Sequence, residues 1–297
     1  MSDCSFSVLT HRGVIAVSGA DRVEFLQGLI SNDTTKVAPG HAVWAALLTP
    51  QGRFLNDMFV ATDGETLLLE TERERAPALA RKLSMYKLRS QVKVEDRSVA
   101  LEVAVAFGPG LDATTLLPRL SPAGLVAFVD PRLAGLGVRV LGPAGQLASA
   151  LAAAGCIERP LVDYDSLRLS LGAPDGSRDL VVEKALLLEN GFDELNGVDW
   201  QKGCYMGQEL TARTKYRALI RKRLFPVRVE GALPAPGTAV LDGLEEVGEV
   251  RSGVDGRALA MLRLDAVGEG HTLTAGDARL VPEKPAWMRL ASEAANP

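Results

Sequence analysis

The sequence predicts an α+β protein: a mixed helix-and-strand body over residues 1–221, then a small antiparallel β module. Three observations carry this. Segments with a period of two alternate with segments of helical period as far as about residue 171. From Lys222 onward the pattern turns to short alternating runs divided by Gly and Pro. At 297 residues the chain is also long enough for two or three compact units.

Gly13–Val17 reads as a first strand, closed by Ser18-Gly19. Asp21 then opens a helix, and Glu24 three positions later suggests a capping box. Val23, Leu26, Leu29 and Ile30 share one face of it, and Asn32-Asp33 ends it. Strands at 43–49 and 54–61 flank the turn Pro50-Gln51-Gly52-Arg53, and a further strand covers 66–70. A helix over 74–88 precedes strands at 92–95 and 99–107. Residues 108–125, rich in Gly, Pro and Leu, read as a connection with a short helix. Strands at 126–129 and 138–141 and helices at 146–153 and 164–171 follow, the last stopped by Gly172-Ala173-Pro174. In the β module, strands are expected at 224–229, 238–241, 246–251 and 259–264, and 291–297 reads as a tail.

Composition narrows function. The net charge of −4 gives no global field for nucleic acid, so such a contact would need a local patch. No apolar run approaches the roughly 20 residues of a membrane span. The start carries no signal-like or presequence-like pattern. Three scattered cysteines, Cys4, Cys156 and Cys204, argue against a disulfide framework and for a reducing cytoplasm, with Cys4 and Cys156 inert. The isolated His11, His41 and His271 offer no metal-ligand spacing.

The chemistry concentrates at Lys202-Gly203-Cys204-Tyr205-Met206-Gly207-Gln208-Glu209. If Gln208 begins a helix, Cys204 lies just before a helix N-terminus, which together with Lys202 favours a thiolate. A buried structural thiol in a glycine-bracketed turn is the rival reading. Arg213, Lys215, Arg217, Arg221, Lys222 and Arg223 put six cations in eleven residues, either a solvated basic face or a site for carboxylates and phosphates. Tyr205 and Tyr216 could stack a flat heterocycle or pack in a core. Asn56-Asp57, a polar pair inside an apolar strand, must find partners or face a cavity. Asp57 is thus either a brace or a carboxylate facing a ligand amine.

The octapeptide, continued by Ala212-Arg213 and Tyr216-Arg217, resembles the KGCYxGQE motif of the YgfZ family, folate-binding proteins similar to the T-protein of the glycine cleavage system. Phe25–Asp33, Pro50–Arg53, Tyr86–Val92 and Arg168…Gly172-Ala173-Pro174…Glu183 extend the resemblance over nearly the whole chain. It implies a ring of three domains around a tetrahydrofolate channel: a first α+β domain (1–108), a middle α+β domain (109–221) and a C-terminal β-barrel (222–290). It also implies service to iron–sulfur enzymes, including those that thiolate tRNA, through Cys204. Asp57 would read the pterin and Arg168 would meet the glutamate tail. Tyr205, Gly207, Gln208 and Glu209 would line the site, and Lys202 or Glu209 would move a proton.

An aminomethyltransferase is the alternative. The T-protein's Asp-Asp pair is here Asn56-Asp57, its Gly-Tyr-Thr-Gly-Glu segment has no counterpart near 130–141, and Lys202-x-Cys204 replaces its Lys-x-Asp. A non-enzymatic RNA-binding module is a third reading, resting on the cations of 213–223. The expected partners are a folate and iron–sulfur clients, with direct nucleic-acid contact disfavoured and no membrane; the expected location is cytoplasmic, and the sequence favours a monomer without fixing the oligomeric state.

Overall fold

The computed structural model describes residues 4–217 and 220–290; the tail expected at 291–297 lies outside them. The chain divides into two compact units. One comprises the residues up to Leu48, Leu55–Tyr164 and Asn196–Met206; the other comprises Thr49–Phe54, Asp165–Leu195 and the residues from Gly207 on.

The first unit holds two five-stranded sheets. One has β3 (Val43–Leu48), β4 (Phe54–Thr62), β5 (Leu67–Glu72), β2 (Arg12–Ser18) and β6 (Lys93–Asp96), in that order. Helix α2 (Ala76–Tyr86) covers it with Ala76, Leu79 and Leu83 buried. The other sheet runs β10 (Ile157–Glu158), β1 (Ser5–Val8), β7 (Leu101–Phe107), β9 (Val138–Pro143), β8 (Val126–Val129). The alternation of strand side chains sorts its two faces. Phe6, Ala104, Ala106, Val138 and Val140 pack under α3 (Ala113–Leu120) and α4 (Leu147–Ala153). Arg139, between the two valines, points the other way, toward β5 and Glu70.

This second sheet joins β1 and β7 to β8, β9 and β10, so the domain boundary expected at 108/109 falls inside one hydrogen-bonded sheet. The capping box at Asp21 does not form. Asp21 precedes α1 (Arg22–Gln27) without capping it, and its Oδ2 instead accepts the amide of Gln91 at 2.6 Å. Cys4 and Cys156 are a disulfide, where the sequence reading has two inert thiols. The parallel pairing of β1 with β10 brings them together, with the Ile157 amide on the Cys4 carbonyl at 2.9 Å.

The second unit contains a closed antiparallel barrel: β11 (Lys222–Glu230), β14 (Arg257–Arg263), β13 (Glu245–Val254), β12 (Ala239–Asp242), β15 (Leu273–Ala275) and β16 (Ala278–Pro282). Pairing of β16 back onto β11 removes both edges. Its interior is apolar, with Phe225, Val227, Val240, Val250, Ala260 and Leu262 fully buried. Helix α5 (Leu161–Ser170) and helix α6 (Gln208–Tyr216) supply the rest of the regular structure the function needs. No helix among the described residues is long and apolar enough to cross a membrane.

Candidate functional site

Cys204 is a free, exposed thiol on an irregular segment. The loop leading to it is fixed to the end of α1 and the turn that follows. Ser31 Oγ donates to the Gly197 carbonyl at 2.6 Å, and Asn32 Nδ2 donates to that of Asn196 at 2.6 Å. The Asp199 amide reaches the Ser31 carbonyl at 3.0 Å, and Lys36 forms an ion pair with Asp199.

Closer to the thiol, Lys202 Nζ donates to the Gln27 carbonyl at 2.5 Å, while Gln27 Nε2 donates to the Lys202 carbonyl at 3.3 Å. The Met206 amide bonds the Gly28 carbonyl at 3.1 Å. Gln27 is the centre of this arrangement, since it also donates to Asp33 and accepts the Thr34 amide. The stretch Phe25–Asp33 therefore acts as a clamp on the octapeptide.

Lys202 is half-buried, and its ammonium lies 5.0 Å from the centre of the Tyr205 ring. Burial pulls its pKa below the ordinary lysine value, against the opposing pull of Asp33, Asp199 and Cys204. Lysine and cysteine are thus electrostatically coupled. Tyr205 is buried, with one ring face met by Lys202, so it offers no open platform on that side. Gln208 begins α6, as the sequence predicts, and Gly207 precedes it in the left-handed region at φ 79°. Glu209 is exposed in the first turn. A Cβ on Gly52 would come within 2.7 Å of the Gly207 carbonyl and 2.6 Å of Leu210 Cβ, so the Gln51-Gly52-Arg53 turn seats directly on this helix start.

In the first unit a cleft of about 540 Å3 borders the same loop, lined by Asn32, Lys36, His41, Asn196, Asp199 and Trp200 among others.

Two expected folate ligands, Asp57 and Arg168, are buried. Asp57 is 1 % exposed. Its Oδ2 accepts the Trp44 indole N–H at 3.1 Å, and its Oδ1 faces Arg12 Nη1 at 3.6 Å. Arg168 is equally buried and bonds Asp165 at 3.1 Å, Asp179 at 2.8 Å, the Ala173 carbonyl at 3.0 Å and Ser252 at 2.9 Å. Both are buried and ion-paired within the protein, as a buried charge needs a partner.

The tetrahydrofolate implied by the resemblance does not fit these two positions. Asp57 Oδ1 accepts no hydrogen bond, which a ligand amine could supply, but the carboxylate is walled in by Arg12 and Trp44.

Sequence reasoning missed Arg12, the ion-pair partner of Asp57, and the buried charges Glu70, Asp130, Arg132 and Arg139. The available signal was a charge inside an apolar strand, as in Val138-Arg139-Val140.

Comparison with known proteins agrees with this architecture. A family profile described as the GCVT N-terminal domain matches residues 4–126, and one described as the CAF17 C-terminal beta-barrel domain matches 221–290. A crystal structure of the glycine cleavage system aminomethyltransferase T from Bartonella henselae has the same fold, with a TM-score of 0.74 over 97% of this chain and 87% of that one, at 17% identity. The mitochondrial iron–sulfur cluster assembly factor IBA57 of Mus musculus is 36% identical over 87% of this chain and 77% of its own length; that of Homo sapiens is 34% identical over 86% and 76%. The homologue from Mycosarcoma maydis is 36% identical over 78% of this chain, which spans only 59% of that protein.

These relatives are mitochondrial by name, which overturns the cytoplasmic location expected from the sequence. They also narrow the resemblance to YgfZ, a related family. With a third of its residues identical to the mouse and human proteins over most of its length, the chain belongs to the IBA57 family.

Proposed function

We propose that this protein is an iron–sulfur cluster assembly factor that works through the Cys204 thiol. The observation that carries the reading is the free, exposed cysteine on a loop held by the Gln27–Asn32 clamp. A thiolate is a ligand for iron and an acceptor for sulfur, so a cluster in transit to a client enzyme is the fitting substrate. Lys202, two residues before Cys204, ties this loop to the Gln27 carbonyl. Glu209, exposed in the first turn of α6, is our candidate contact for a protein partner, and tRNA-thiolating enzymes are among the clients the motif suggests.

Any tetrahydrofolate bound by this chain would use groups other than Asp57 and Arg168, such as those of the cleft beside Trp200. The test is complementation of cells depleted of their own homologue. Cys204→Ser should fail to restore the activity of an iron–sulfur enzyme while folding like the wild type; full restoration would remove the thiol from the mechanism.

A further inference from the structure

Six charged side chains inside the first unit form a buried cluster. Arg12, Arg132 and Arg139 face Asp57, Glu70 and Asp130; none is more than 3 % exposed, and their formal charges sum to zero. Arg12 Nε donates to Glu70 at 3.0 Å, and Arg139 bridges Glu70 and Asp130. Arg132 grips both oxygens of Asp130, at 3.0 Å and 2.8 Å. Burial by itself pushes the Asp130 carboxyl up, but Arg132 and Arg139 outweigh it and hold the group below the usual carboxylate range.

The aromatic faces nearby are taken by the same guanidinium groups. Arg139 lies 3.9 Å and Arg132 4.8 Å from the centre of the Phe59 ring, and Arg132 lies 5.3 Å from that of Trp44.

A pterin bound at Asp57 would need that carboxylate free and a flat slot beside an aromatic face. Here guanidinium planes, themselves flat and rich in N–H donors, stand against both rings and supply the counter-charge. We infer that these arginines replace a pterin in this protein, and that Asp57 is a structural ion-pair partner and no folate ligand. Aminomethyl transfer, which needs a one-carbon folate beside this carboxylate, is thereby disfavoured. The inference goes beyond the assembly-factor reading and does not depend on Cys204.

The test is calorimetric titration of the full chain with reduced tetrahydrofolate, on wild type, Asp57→Asn and the charge-balanced double variant Arg12→Met/Asp57→Leu. Asp57→Asn should lower Tm by about 10 °C, because it leaves a buried arginine short of a partner, and the double variant should recover most of that loss. Binding, whether absent or present at another site, should be the same within about twofold in wild type and double variant, a difference below one decade of Kd. The Trp44 indole N–H resonance of the wild type should not shift on adding tetrahydrofolate, a readout that needs no variant. Stoichiometric binding that weakens more than about tenfold in a folded double variant, or a saturable Trp44 shift, would overturn the inference. Neither result bears on Cys204→Ser, so the two readings fail separately.

Discussion

Replacing Arg168 by Ala separates a structural arginine from a ligand-binding one. The guanidinium joins α5 to the Ala173 carbonyl, to Asp179 and to Ser252 on β13, and the Asp179 side chain is fully buried. Asp179 also accepts the Ser252 hydroxyl at 2.5 Å and the Asp175 amide at 2.8 Å, so it cannot swing out to water without breaking these bonds. Truncation of one partner of such a pair costs about 3–5 kcal/mol. At roughly 2–4 °C per kcal/mol for a chain of this size, Tm should fall by about 10 °C or more. Arg168→Lys keeps the charge but loses the planar fork, and should recover part of the loss. Differential scanning fluorimetry and urea unfolding measure both. A Tm within 2 °C or so of wild type in Arg168→Ala, against the several degrees expected for a broken buried pair, would refute the structural role, and weakened binding of a folate polyglutamate in that folded variant would restore the ligand role.

Gly52→Ala should cost about 2 kcal/mol in denaturant unfolding, since φ is +81° and the new Cβ would meet Leu210 and the Gly207 carbonyl; Gly203→Ala, with open space around it, should cost about half as much. Asp165 is lifted by burial but held below the usual carboxylate range by hydrogen bonds from Arg178 and the charge of Arg168. Its unfolded form titrates near the ordinary value of about 4, so its stabilising effect is complete above that pH and is lost as pH falls through the lower folded value. Tm should therefore drop on acidification below pH ~4, and Asp165→Asn should flatten that slope. Lys202→Met should cost about 1 kcal/mol in denaturant unfolding, because its bond to the Gln27 carbonyl is lost, and an unchanged midpoint would count against the clamp.

The barrel was readable from the Gly- and Pro-divided runs after Lys222, and four of its six strands stand where the alternation puts them. β15 and β16, only three and five residues long, carry too little alternation to register. β1 and the two-residue β10 escaped for the same reason, and with them the Cys4–Cys156 bridge across a separation of 152 residues. In the site, the octapeptide and Gln27–Asp33 could each be seen as segments, but only the tertiary bonds reveal that one clamps the other. Asp57 and Arg168 illustrate the opposite limit. Their residue types match a ligand pattern, while folding pairs Asp57 with Arg12 of another strand and Arg168 with Asp179 beyond its own helix.

The order in which strands neighbour each other in the sheet β10-β1-β7-β9-β8 bears on how the protein is made. On a ribosome β1 emerges before its partners β7 and β10, which appear only about a hundred and then a hundred and fifty residues later. The growing chain must carry an unpaired β1 through that interval, a template for strand addition that invites chaperone capture. Gln27 waits longer still for Lys202. Translation therefore adds some 175 residues after Gln27 before the thiol can be set in its clamp, so nascent chains that stop short of Lys202 lack the clamped site.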